Sequence, residues 1–128
     1  MLTTSSMSKP ATPVLIIDDN IDILFMLKAM LTMKGYDVST KENTDNLENT
    51  LKTIAPGVII MDMLLSGTDG REVCRSLKTD PLFLHIPIIM ISAHPQAKEE
   101  CLASGANYFL EKPFDMYDIL DLVANAVN

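Results

Sequence analysis

Only two cysteines, Cys74 and Cys101, occur among 128 residues. They stand too far apart for a Cys-x-x-Cys metal or redox pair, so the expectation is two reduced, packed thiols in a cytoplasmic protein. Histidine is equally sparse. His85 and His94 are the whole complement, and with no cysteine nearby they read as loop residues rather than transition-metal ligands. Basic charge is short as well: 10 Lys and Arg stand against 17 Asp and Glu, a net charge of −7. That balance repels polyanions and argues against nucleic acid or an anionic membrane as the main partner. No apolar run approaches the roughly 18 residues of a membrane span; the longest candidates, such as residues 86–91, are strand-sized. Residues 1–13 lack both a basic leader and an apolar stretch of signal length, and read as a flexible tail. Neither a repeat nor a further low-complexity segment is found.

What is present fits one domain over residues 14–128, since 48% of the chain is apolar and this length can bury a working core. Short runs rich in Val and Ile alternate with stretches of helical spacing, the pattern of repeated βα units around a parallel sheet. Strands are expected at 14–18, 36–40, 57–62, 86–91 and 108–110. The run 57–62 (GVIIMD) does not alternate, as expected of a central strand covered on both faces. Between the strands, Asn20 caps a helix with inner stripe Ile23, Leu24, Leu27, Met30 and Leu31, ending at Gly35. A weak polar helix follows at 44–54. Asp69 caps a third at 70–79, Pro95 opens a fourth that stops at Gly105, and Asp115 and Asp118 start the last. The nine Met fall mostly in apolar stripes and read as core filling. Five strands and five helices in this order resemble the flavodoxin-like doubly wound α/β fold, with sheet order 2-1-3-4-5.

In open parallel sheets, ligands bind beyond the carboxyl ends of the strands. Asp18 and Asp19 end the first strand, Asp62 the third, Ser92 follows the fourth and Lys112 the fifth. Taken singly, each has a plain reading: a cap, a turn residue or a solvated amine. Together they bring three acids, a hydroxyl and an amine to one rim. Crowded carboxylates raise one another's pKa unless a cation sits among them, and hard oxygen ligands in a hydrated site favour Mg²⁺. Such a rim suits phosphoryl transfer to a carboxylate, where nucleophile and phosphoryl oxygens are both negative. Lys112 can pair with one phosphoryl oxygen and Ser92 can donate to another.

These residues sit in four motifs: LIIDDN (15–20), VIIMDMLLSGTDG (58–70), IPIIMISAH (86–94) and GANYFLEKPF (105–114). In order and spacing they resemble the receiver domains of bacterial two-component response regulators over residues 13–127. The resemblance implies Asp62 as phosphoacceptor, Asp19 as a direct Mg²⁺ ligand, Asp18 as a ligand acting mainly through water, and the Leu64 backbone carbonyl completing the set. It also implies Lys112 as the active-site lysine with a cis bond to Pro113, Ser92 as the switch hydroxyl and Phe109 as the switch aromatic. The phosphoryl group would draw the hydroxyl inward, and the ring would follow. The expected partners are a sensor histidine kinase or histidine phosphotransferase and an unidentified downstream protein; Ile21, Phe25 and Met26 lie outside the inner stripe of the first helix, and Phe25 and Met26 are expected to belong to a docking face. Because the sequence ends with its fifth helix, a stand-alone receiver is expected. It would be no enzyme in the ordinary sense, catalysing only its own phosphoryl transfer and slow hydrolysis.

Three positions depart from the family's common pattern. Ser66 stands where proline is usual, which predicts a looser loop. Leu64 brings an apolar side chain to a rim position where polar groups can orient hydrolytic water, which together with His94 leaves the phosphate lifetime open, and Phe109 replaces the commoner tyrosine. The competing reading is a receiver-like adaptor that is never phosphorylated; the presence of all five site residues favours the active form. A haloacid-dehalogenase-type phosphatase would need a second Asp where Leu64 stands. An FMN carrier would need a phosphate-cradling loop where Asp18 and Asp19 stand.

Overall fold

The computed structural model describes residues 11–128, and the first ten residues of the expected tail lie outside them. Five strands, β1 (Pro13–Ile17), β2 (Asp37–Lys41), β3 (Val58–Asp62), β4 (Ile88–Ser92) and β5 (Tyr108–Glu111), form one sheet. Every pairing in it is parallel and the order is β2-β1-β3-β4-β5, as expected. Five α-helices connect or follow them: α1 (Ile21–Met33), α2 (Leu47–Ile54), α3 (Gly70–Lys78), α4 (Lys98–Ala103) and α5 (Met116–Val127).

Side-chain alternation along each strand sends neighbours to opposite faces, and here both faces are covered. Leu15, Ile17, Ile59, Met61, Ile88 and Met90 join Leu51, Cys74, Leu77 and Cys101, the contributions of α2, α3 and α4. Val14, Ile16, Val58, Ile60, Ile89 and Ile91 join Leu24, Leu27, Leu31, Ile119 and Val123 from α1 and α5. Hence the central strands read as unbroken apolar runs: neither face meets water. The two thiols are free and buried, and burial pushes the Cys101 thiol up to about 11.

Several boundaries differ from expectation, each for a local reason. Pro13 belongs to β1, not to the tail; it pairs with Asp37, and its carbonyl accepts from the Gly57 N–H at 2.8 Å. A proline, having no N–H to give, is tolerated at the first residue of a strand. The fourth strand starts at Ile88 rather than at residue 86, because the Ile86 N–H is taken by the Phe83 carbonyl at 3.0 Å in the preceding turn. The second helix starts at Leu47, since Asn46 before it is left-handed (φ 53°). A 3₁₀ turn, Pro95–Ala97, leads into α4.

Between β3 and α3 the chain makes a two-residue antiparallel ladder, Leu64–Leu65 with Thr68–Asp69, unforeseen because segments so short carry no period. Gly67 (φ 74°) supplies the positive φ of its turn. Gly70 then brings the start of α3 against the end of β3: a Cβ there would lie 2.7 Å from the Asp62 carbonyl oxygen and 2.9 Å from that of Met63. Gly70→Ala is expected to lower the unfolding free energy by about 1–3 kcal/mol, the usual cost of forced overpacking. It should show as a lower urea midpoint at unchanged slope; an unmoved midpoint would mean that the backbone relaxes freely.

Candidate functional site

In a parallel sheet all strands deliver their carboxyl ends to one edge, and that edge collects the polar residues singled out by the sequence. Asp18 follows β1 and is 2% exposed. Its N–H donates to the Lys41 carbonyl of β2 at 3.0 Å, and its Oδ1 accepts from the Asn20 N–H at 2.9 Å. Asn20 in turn caps α1, its Oδ1 accepting from the N–H groups of Asp22 and Ile23. One turn of backbone thus holds an acid inward while it starts a helix.

Asp62 ends β3 and is 9% exposed. Lys112, just past β5, reaches across with Nζ 3.4 Å from Asp62 Oδ1 and 3.5 Å from Asp18 Oδ2. The Lys112 N–H donates to the Ser92 carbonyl at 2.8 Å, tying the ends of β4 and β5 together. Its bond to Pro113 is cis, as the resemblance implies. Ser92 is buried, one residue beyond Ile91, which pairs with Asp62. Its Oγ accepts from the His94 N–H at 3.0 Å, leaving the hydroxyl hydrogen free to donate elsewhere. The imidazoles of His85 and His94 are exposed, as loop residues should be.

Carboxylate oxygens of Asp18, Asp19 and Asp62 all lie within 4.8 Å of one another. Opposite ligands on an octahedral Mg²⁺ lie roughly 4.2 Å apart, so this all-oxygen set stands close to the span of such an ion and matches it in hardness. The electrostatics agree. Burial first, and then the charge of Asp18, raises the Asp62 pKa above the usual carboxylate value, against the lowering pull of Lys112. A cation among the three acids would remove that penalty.

Asp19 is exposed, yet it is not loose. Its Oδ2 accepts from the Ser66 hydroxyl at 2.7 Å and from the Ser66 N–H at 3.1 Å. The residue expected to loosen the loop instead fastens it. Sequence reasoning missed this pair because 47 residues separate the partners and no spacing rule spans them. The same holds for Arg71. Its guanidinium bonds both carboxylate oxygens of Asp69 and reaches Glu100 of α4 at 2.7 Å, holding the Asp69 carboxyl below its ordinary value. Asp69 also caps α3 as expected. Leu64 lies in the ladder opposite Asp69 with its side chain 51% exposed at the rim. Phe109 is half-buried and packs on the core shared by α2, α3 and α4.

Against known proteins, residues 14–124 match the model of the response regulator receiver domain. The chain is 36% identical over 109 residues to the phosphate regulon transcriptional regulatory protein PhoB of Pseudomonas aeruginosa, covering 84% of this chain and 48% of that protein. It spans half or less of the first curated relatives it matches, down to 23% of one. A putative response regulator from Chloroflexus aurantiacus superposes with a TM-score of 0.85 at 29% identity, covering 91% of this chain and 98% of that one. The receiver domain of a sensor histidine kinase from Pseudomonas aeruginosa, described with a magnesium ion coordinated in its active-site cleft, has the same fold at TM-score 0.81 and 24% identity, covering 91% and 98%.

The raised pKa of Asp62 sets the sign of a pH effect. Between the unfolded value, near 3.8, and the higher folded value, the folded state binds more protons at this residue, so its contribution to stability falls as pH rises. Above that window the ionised carboxylate is a standing cost. Asp62→Asn is therefore expected to melt higher than wild type at pH 7 in EDTA, with the gain shrinking as pH is lowered through the window. A variant that melts lower at pH 7 would show that the Lys112 contact outweighs burial.

Proposed function

The chain belongs to the response regulator receiver domain family, and from that premise we propose that it is a phosphorylation switch in which Asp62 takes a phosphoryl group from a histidine kinase or histidine phosphotransferase. The observation that carries this reading is the convergence of Asp18, Asp19, Asp62, Ser92 and Lys112 at one sheet edge, with the Lys112 ammonium between Asp18 and Asp62. A carboxylate oxygen of Asp62 forms the new O–P bond as the N–P bond of the donor histidine breaks and its electron pair returns to the imidazole. Lys112, already in reach of Asp62, neutralises charge on the incoming phosphoryl oxygens. The Ser92 hydroxyl, with its hydrogen unspent, donates to another.

Asp18, Asp19 and Asp62, with the Leu64 carbonyl, would hold the Mg²⁺. When bound, it supplies the positive charge that lets a carboxylate and a phosphoryl group approach each other. No outside substrate is turned over; the domain promotes only its own phosphorylation and a slow hydrolysis of the acyl phosphate. Output passes by protein contact through the face of α4, β5 and α5. The site lies in a chain with net charge −7, and no helix among the described residues is long and apolar enough to cross a membrane. The negative charge favours protein partners over nucleic acid or an anionic membrane surface.

Helix α1 leaves the site edge directly, and it exposes Ile21, Phe25 and Met26 at 63%, 76% and 40%. Apolar exposure of this kind beside the acids suits docking of the phosphohistidine-bearing helix. Changing Phe25 and Met26 together to Ser is expected to slow phosphotransfer from the cognate kinase while leaving phosphorylation by a small donor unchanged. Equal loss with both donors would place the defect in the site rather than in docking.

The central test is incubation with acetyl phosphate and Mg²⁺ followed by intact mass. Wild type is expected to gain one phosphoryl group and Asp62→Asn none. A wild type that gains nothing would favour an unphosphorylated adaptor. In parallel, millimolar Mg²⁺ should raise the melting temperature by binding the folded state alone, and Asp19→Ala should abolish the rise.

A further inference from the structure

We propose that Ser66 is a positioning residue for the metal site, holding Asp19 ready to receive Mg²⁺ in a way that the proline usual at this place cannot. The inference rests on the Mg²⁺ reading given above. Asp19 is the exposed member of the three acids, next to Asp18 in sequence and within ligand spacing of Asp62. Like charges at that distance push it outward, and nothing in its burial opposes the move. What opposes it is Ser66, whose hydroxyl and N–H both donate to Oδ2. Oδ1 receives no hydrogen bond from the described residues, so one carboxylate oxygen is tethered and the other is left for an ion.

The tether is itself anchored. Ser66 sits in the turn of the ladder in which Leu64 pairs with Asp69 and Leu65 with Thr68. Gly67 takes the left-handed conformation of that turn. Asp69 is clamped by its cap to the Arg71 N–H and by the Arg71 guanidinium. The ladder that contributes the Leu64 carbonyl to the proposed metal set therefore also fixes the Asp19 carboxylate, and two ligands from distant parts of the chain are set by one hairpin. Proline, lacking both the N–H and the hydroxyl, can make neither bond.

Two effects of the hydrogen bonds oppose each other at the metal. They draw some negative charge from the carboxylate, which weakens an ion contact, and they remove the cost of ordering an exposed side chain, which strengthens it. Because both donors fall on Oδ2, the first effect is indirect, while the second acts in full. Ordering one such side chain in advance is worth roughly three- to tenfold in affinity.

Mg²⁺ titration by calorimetry on wild type, Ser66→Ala and Ser66→Thr tests this, with melting curves in EDTA alongside. Ser66→Ala, which keeps only the N–H donor, should bind Mg²⁺ more weakly, by a factor of up to about ten. Ser66→Thr, which keeps both donors, should bind close to wild type, and all three should melt together in EDTA. Equal or tighter binding by Ser66→Ala, or a Thr variant as weak as the Ala one, would overturn the role of Ser66 and leave the proposed function standing. If wild type itself takes up no Mg²⁺, the metal reading fails and this inference with it.

Discussion

Three carboxylates with oxygens inside 4.8 Å of one another repel, and the rest of this site consists of what holds them there. The parallel sheet does the first part. Because every strand ends on the same edge, β1 and β3 place Asp18 and Asp62 side by side whatever their charges prefer. Core burial on both faces of the sheet supplies the free energy that holds them there, at roughly 25 cal/mol for each Å² of apolar surface removed from water. Lys112 offsets part of the repulsion from β5, and Ser66 restrains the one acid that could escape to solvent. The cost of burial, and after it of the remaining repulsion from Asp18, is visible as the raised pKa of Asp62. On the proposed reading that residual strain is useful, since it is relieved by a cation, and the same cation makes Asp62 accessible to a negatively charged phosphoryl group.

The sheet and its covering helices were legible in the sequence because the forces that shape them are periodic. Residues such as Leu24, Leu27 and Leu31 recur at helical spacing, and Val58 to Met61 run without alternation; both patterns follow from burial, and both are seen. What the sequence hid is set by single contacts. That Pro13 opens β1 depends on the Gly57 N–H, that β4 begins only at Ile88 depends on Phe83, and the ladder at Leu64–Leu65 is too short for any pattern. The candidate site divides in the same way. Asp18, Asp19, Asp62, Ser92 and Lys112 could be placed together by the rule that strand ends converge, but Ser66 with Asp19 and Arg71 with Glu100 are meetings of side chains far apart in the chain.

The loop after Asp62 shows why a residue type alone can mislead. Serine in place of proline frees one φ angle, and from the sequence that freedom implies a looser segment. In the folded chain the same substitution supplies two donors, and both find the carboxylate of Asp19. Backbone order lost with proline's absence is recovered through hydrogen bonds that proline could not make. Leu64 in the same ladder has no such compensation: its side chain stands 51% exposed at the rim, with no polar group to orient water there.

On the proposed reading, transmission away from the site rests on Ser92. Its Oγ already accepts from the His94 N–H, and the His94 carbonyl accepts from the Ala97 N–H at 3.0 Å, the turn that opens onto α4. Drawing the Ser92 hydroxyl toward a phosphoryl group on Asp62 would therefore pull on the lead-in to α4 through two hydrogen bonds. The aromatic partner has no comparable handle. Phe109 pairs with Met90 across the ladder, two residues before Ser92, and packs on the core side to which α4 belongs. Lacking a hydroxyl, it can answer a movement of Ser92 only by filling space. On the proposed reading, the polar part of the switch runs through the backbone from Ser92 to α4, and the aromatic part follows by packing.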